Sequence, residues 1–137
     1  NSKPRVTLRL GYPVEQARMQ LMAAIREAVQ NETGIEPEVF IDWEVRRHAV
    51  QGVLTPVPGI RNILVVSSAK GGVGKSTIAV NLALALAYEG ACVGILDADI
   101  YGPSQPLMLG VASQQPVSKD GKRFEPIDVH HRRRRRV

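Results

Sequence analysis

The chain has 137 residues, 44% hydrophobic but only 4% aromatic, enough for one modest core or two small units joined by a linker. It has no apolar run near the roughly 20 residues of a membrane-spanning helix, no signal-peptide pattern after Lys3-Pro4-Arg5, and one cysteine, which excludes an internal disulfide framework; no membrane and a cytoplasmic location are expected. The net charge of +5 belongs to a tail: Arg132–Arg136 supply five of eighteen basic residues and the other thirteen balance thirteen acidic ones, which argues against a nucleic-acid-binding body.

In chain order, Arg5-Val6-Thr7-Leu8-Arg9-Leu10 alternates polar and apolar residues, the period of a half-buried strand. After Gly11-Tyr12-Pro13, the apolar positions Val14, Ala17, Leu21, Ala24, Ile25, Ala28 and Val29 recur at helical spacing to about Asn31, and Gly34 is the expected stop. Residues 39–45 read as a second strand, so residues 1–45 are expected to form a β-α-β unit with Phe40 and Trp43 in its core. Residues 46–59, with Gly52, Pro56, Pro58 and Gly59, have linker composition; His48 lies there with nothing to complete a site.

A second unit is expected over residues 60–128. Ile63-Leu64-Val65-Val66 predicts a central parallel strand, followed at once by a glycine loop and then by a helix from Ser76 to Glu89 that is apolar nearly all round and so expected to be well buried. Gly90 ends it, and Val93-Gly94-Ile95-Leu96 predicts another buried strand closing on Asp97, with Cys92 as a small buried apolar residue at its start. This order is the start of a doubly wound α/β parallel-sheet domain of the P-loop NTPase class. Beyond Asp99 the pattern weakens to a loop, one helical turn at Leu107–Leu109, and a short strand at Lys122–Asp128. Residues 129–137 are a basic tail. The chain starts at Asn1 rather than methionine and ends in an arginine run, and it reads as a piece of something larger.

The loop Lys70-Gly71-Gly72-Val73-Gly74-Lys75-Ser76, with Ala69 before it and Thr77 after, fits the phosphate-binding pattern in its confirming context of strand, then helix. Gly71, Gly72 and Gly74 let backbone amides approach phosphate oxygens at a helix N-terminus, where the dipole favours anions. Lys75 would reach the β- and γ-phosphates of ATP, Ser76 would ligate Mg²⁺, and Thr77 would sit near the α-phosphate. The blander reading is a glycine-rich turn. The second constellation, Asp97-Ala98-Asp99-Ile100-Tyr101-Gly102-Pro103-Ser104, ends the predicted strand on the edge where such sheets bind ligands. One carboxylate could hold Mg²⁺ through water and the other orient an attacking water; Asp97 could equally do no more than end the strand and cap the next turn.

The string K-G-G-V-G-K-S-T resembles the deviant Walker A ATPases, which implies that Lys70 reaches across a homodimer interface to the partner's phosphates, with an exposed lysine of only electrostatic effect as the alternative. That resemblance makes Asp99 the water-positioning residue and puts Asp97 nearer the metal. With D-A-D-I-Y-G-P-S added, and Val57-Pro58-Gly59-Ile60-Arg61-Asn62-Ile63, Gly110 and Asp120-Gly121-Lys122-Arg123, the chain resembles the Mrp family of iron–sulfur cluster carrier ATPases. Residues 1–45 are similar to the latter half of the small MIP18-like domain that precedes the ATPase in that family. The resemblance implies ATP hydrolysis, homodimerisation and cluster delivery to client apoproteins. It also implies a later C-P-x-C pair, one from each subunit, for a bridging 4Fe–4S cluster; that pair is absent here, as is the second switch, and Tyr12-Pro13 stands where the small domain often has cysteine-proline.

Three rivals remain at the level of sequence. One is a partition or cell-division ATPase of the same class, against which the D-A-D-I-Y-G-P-S string argues. Another is a module that holds nucleotide without turnover. The last is a nucleic-acid binder using Arg132–Arg136, which lacks an aromatic platform or recognition helix.

Overall fold

A computed structural model of the chain describes residues 3–47, 55 and 57–129; most of the expected linker, with His48, and the tail with His130, His131 and Arg132–Arg136 lie outside the described residues. Two units cohere separately, one made of Asn1–Val65 with Leu82–Gly94, the other of Val66–Asn81 with Ile95–Val137.

In the first unit the alternating segment forms strand β1 (Arg5–Leu10), with Val6, Leu8 and Leu10 turned inward and Arg5, Thr7 and Arg9 exposed. Helix α1 (Arg18–Thr33) follows, and Gly34, at φ 69°, closes it by donating its N–H to the Gln30 carbonyl. Strand β2 (Glu38–Trp43) then pairs with β1 in parallel, Val6 opposite Val39 and Leu8 opposite Ile41. The expected β-α-β unit is therefore present. Its core is small: Val14, Val39 and Ile41 are buried, with Leu21, Met22, Ile25 and Trp43 packed against them. The helix begins at Arg18 rather than Val14, yet Val14 still enters the core from the preceding turn.

Register follows from burial. A slip of one residue would turn Val6, Leu8 and Leu10 toward water. The same register sets Arg5 opposite Glu38 (3.4 Å) and Arg9 opposite Asp42 (3.3 Å), exposed pairs that solvent screens heavily. Lys3 adds a pair with Glu36 at 2.7 Å, and its hydrogen bond and charge hold the Glu36 carboxyl below its ordinary value. Phe40 is not core as expected. Strand alternation puts it on the face opposite Val39 and Ile41, where it is exposed beneath the Arg5 guanidinium, 5.0 Å from the ring centre.

Helix α2 (Lys75–Tyr88) begins in the second unit and ends in the first. Its end is closed by Gly90 and Ala91, whose N–H groups bond the Ala87 and Leu86 carbonyls at 3.1 and 3.0 Å. Segment 15–16 is tied to the same place: Glu15 N–H donates to the Glu89 carbonyl and Gln16 N–H to its carboxylate. Gly90 adopts φ 108°, and a Cβ there would stand 3.1 Å from Cζ2 of Trp43. Gly90→Ala should therefore destabilise the chain by about 1–3 kcal/mol through backbone strain alone. A urea titration checks this: a lower midpoint at unchanged slope is expected, and an unchanged midpoint refutes it.

The second unit holds α3 (Gln105–Met108), two residues ahead of the expected turn. Residues 122–128 form no strand; they follow a turn in which Asp120 Oδ1 accepts the N–H groups of Lys122 and Arg123 at 2.9 and 2.8 Å. Those bonds lower the Asp120 pKa from 3.8, so the stabilisation they give is present above that pH and is lost as pH falls below it.

The expected strands at Ile63–Val66 and Val93–Leu96 are the main correction. Among the described residues the sheet has two strands only, β1 and β2, and a doubly wound arrangement is not seen. Val65 is 82% and Leu96 91% exposed. A central parallel strand exists only when neighbours on both sides take up its N–H and C=O groups, and no described segment pairs with these. The same shortfall explains α2, whose only buried residue is Val80 although the apolar composition predicts burial all round. Cys92, beside that segment, is exposed rather than buried.

Candidate functional site

The glycine loop keeps its expected place at the head of a helix. Gly72 and Gly74 have φ of 73° and 87°, the left-handed region that side chains with a Cβ rarely enter, so the sequence can turn here only because both are glycine. The second turn delivers the chain into α2, where the Gly74 carbonyl accepts the first helical bond, from Ile78 N–H at 2.9 Å. The N–H groups of the first helical turn, at Lys75, Ser76 and Thr77, have no acceptor within the helix and are available to an anion. Ser68 Oγ donates to the Lys70 carbonyl at 2.8 Å and steadies the entry to the loop.

An open cleft of about 340 Å³ lies against this turn. Lys70, Lys75, Ser76 and Thr77 line it together with Gly72, Val73 and Gly74, and Ser104 and Met108 form its other wall. Of the predicted loop residues only Gly71 is not on the lining. Two ammonium groups and a helix N-terminus at one concavity, with no carboxylate on its wall, make an anion site.

Asp97 and Asp99 do not line the cleft. Both Asp97 oxygens are engaged by the backbone: Oδ1 accepts Asp99 N–H and Oδ2 accepts Gln105 N–H, each at 3.1 Å. Asp97 thus caps α3 from eight residues upstream, while the Ser104 side chain at the N-cap makes no capping bond. Asp99 is exposed, and its Oδ1 accepts Gly102 N–H at 3.2 Å inside the same turn.

Gln105 is the residue that sequence reasoning missed. It is 7% exposed, receives Asp97 at its N–H, and donates its side-chain Nε2 to the Ser76 carbonyl at 3.4 Å. Through it the aspartate turn is joined to the phosphate loop. Its only signal in the sequence is position: a residue between Ser104 and Pro106, where a helix is about to start. Among the described residues no group of three or more His, Cys, Asp or Glu is arranged to hold a metal ion, and no helix is long and apolar enough to cross a membrane.

The family described as NUBPL iron-transfer P-loop NTPase matches residues 59–133. An iron–sulfur cluster carrier protein of Haemophilus influenzae is 45% identical over 130 residues, covering 92% of this chain and 34% of the relative. Its counterpart in Escherichia coli K12 is 66% identical over 74 residues, 54% of this chain and 20% of the relative. One from Pseudomonas fragi is 49% identical over 108 residues, 77% of this chain and 38% of the relative. The chain therefore spans at most about two fifths of the length of these relatives.

Proposed function

Because this chain belongs to the iron-transfer P-loop NTPase family, we propose that its glycine loop binds ATP and that the longer protein uses ATP hydrolysis in the delivery of iron–sulfur clusters. The observation that carries this reading is the cleft at the start of α2, where Gly72 to Thr77 and Lys70 surround an anion-sized space. Bare amides at the turn take phosphate oxygens, and Lys75 neutralises the β- and γ-phosphates. Relatives named as cluster carriers favour this over a partition ATPase of the same class.

The donors present fit Mg²⁺. That ion keeps several waters and relies on substrate phosphates and one or two protein groups rather than a full protein cage. Ser76 would supply the hydroxyl and Asp97, which does not line the cleft, would act only through water, while the side-chain Oε1 of Gln105 is a buried acceptor without a partner. When bound, the ion would withdraw charge from the phosphoryl oxygens. Asp99, exposed on its turn, orients the attacking water, and Lys70 supplies a second cation, from one subunit of a homodimer to the other.

In this reading residues 60–128 begin the ATPase domain, and segments 63–66 and 93–96 join a wider parallel sheet in the longer protein. Residues 1–45 correspond to part of a MIP18-like unit; the match to the Haemophilus relative, over 92% of this chain, extends into them. The site of action is cytoplasmic, with client apoproteins as partners. A 4Fe–4S cluster needs four thiolates, and Cys92 is the single cysteine here, so the cluster is cargo for which this chain lacks the ligands.

A second reading, nucleotide held without turnover, draws on the backbone bonds that occupy both Asp97 oxygens and Asp99 Oδ1. Calorimetry with Mg·ATP, ADP and AMP tests the first proposition: saturable heat with ATP and ADP and little with AMP is expected. No heat with Mg·ATP would refute nucleotide binding. Phosphate release in the same samples separates turnover from holding.

A further inference from the structure

Gln105 stands apart from the rest of the second unit in two respects. Among the described residues it is the buried polar one there, 7% exposed, at the start of a helix of only four residues, and burying an amide is unfavourable unless its hydrogen bonds are made. Its backbone N–H and its Nε2 are both used, the first on the Asp97 carboxylate and the second on the Ser76 carbonyl. Its Oε1 has no partner. Turning the amide over would not help, because Oε1 would then face the Ser76 carbonyl, acceptor against acceptor.

A buried acceptor kept without a donor is the expected condition of a group whose donor arrives with a ligand. Oε1 shares one amide with Nε2, which is 3.4 Å from the Ser76 carbonyl, so it stands within a few ångströms of the loop residue whose hydroxyl is aimed at the metal in the reading above. Waters on a divalent cation are strong donors, since the ion polarises their O–H bonds. The bond from Nε2 is itself long, which leaves the amide room to adjust when a ligand closes the site.

We propose that Gln105 is a positioning residue that fastens the Asp97 turn to the phosphate loop and offers Oε1 to a water in the coordination shell of the nucleotide's divalent cation. This rests on the ATP-binding reading. Gln105 touches neither the cleft nor the phosphates, so its effect is on the increment in affinity that the metal confers and not on nucleotide affinity as such.

The test is calorimetry on the full 137-residue chain, titrating ATP with Mg²⁺ and ATP with EDTA into wild type, Gln105→Met and Gln105→Glu. Gln105→Met keeps the volume and loses both amide atoms; it should bind metal-free ATP within about twofold of wild type and lose about tenfold of the metal-dependent gain. Gln105→Glu at pH 8 keeps an acceptor at this position and adds a charge that attracts the cation, so it should retain the metal-dependent gain within about threefold of wild type. A residue that only supports the fold would lower both affinities together, and in Gln105→Met either that result or an unchanged metal-dependent gain overturns the proposal. If Gln105→Met does not fold, Gln105→Glu decides alone, and a loss of about tenfold in its metal-dependent gain overturns the proposal. Failure of wild type to bind ATP in either buffer would remove the nucleotide site and this proposal together, a result distinct from the others.

Discussion

Replacing Lys75 with alanine should reduce affinity for Mg·ATP by about 10²–10³-fold. The residue opens α2 and lines the cleft, and in the proposed function its ammonium group holds the β- and γ-phosphates. One charge-assisted hydrogen bond contributes about 1.5–3 kcal/mol, and loss of the Coulomb attraction to a multiply charged anion adds to it. Alanine is a good helix former, so the substitution should leave α2 and the melting transition nearly unchanged. The control is Lys122→Ala, a lysine in the Asp120 turn that does not line the cleft, whose affinity should match wild type. Calorimetry at fixed ionic strength measures both. Equal affinities for the two variants would disqualify the loop as the nucleotide site.

The second large effect concerns Lys70, and it should appear in rate rather than in binding. In the full-length protein, Lys70→Ala should leave ATP affinity within about threefold while lowering hydrolysis by about a hundredfold, the usual loss when one donor to developing phosphoryl charge is removed. Lys70 lines the same cleft as Lys75 but precedes the turn, so it is held by loop geometry and not by the helix. If it acts on the partner's nucleotide, mixing Lys70→Ala with Lys75→Ala subunits should restore part of the hydrolysis that each lacks alone. The Lys75→Ala subunit would lend its intact Lys70 to the nucleotide bound by the other. Absence of any recovery would assign the lysine to its own subunit.

The segments that sequence read well are those whose structure is set by nearby residues. The alternation at 5–10 became β1, the helical spacing after Val14 became α1 with Gly34 as its stop, and the glycine spacing placed the loop at the head of α2. The segments read poorly depend on what lies beside them. Ile63–Val66 and Val93–Leu96 have the composition of buried strands but remain unpaired among the described residues, so β-propensity alone does not make a strand. Phe40 was misplaced for a local reason: strand alternation assigns it the face opposite Val39 and Ile41, and its hydrophobicity outweighed that signal.

The sequence by itself determined the glycine loop at the head of α2, the family and the β-α-β order, because glycine torsions, helix periodicity and a run of specific residues are written within a few positions of one another. Only the tertiary structure decided that Asp97 has both oxygens committed to amides, and that Gln105 is buried between it and Ser76 with an acceptor to spare. Burial and hydrogen bonds between residues 29 positions apart depend on which segments meet. A glutamine between serine and proline carries no local mark of the neighbours it will acquire.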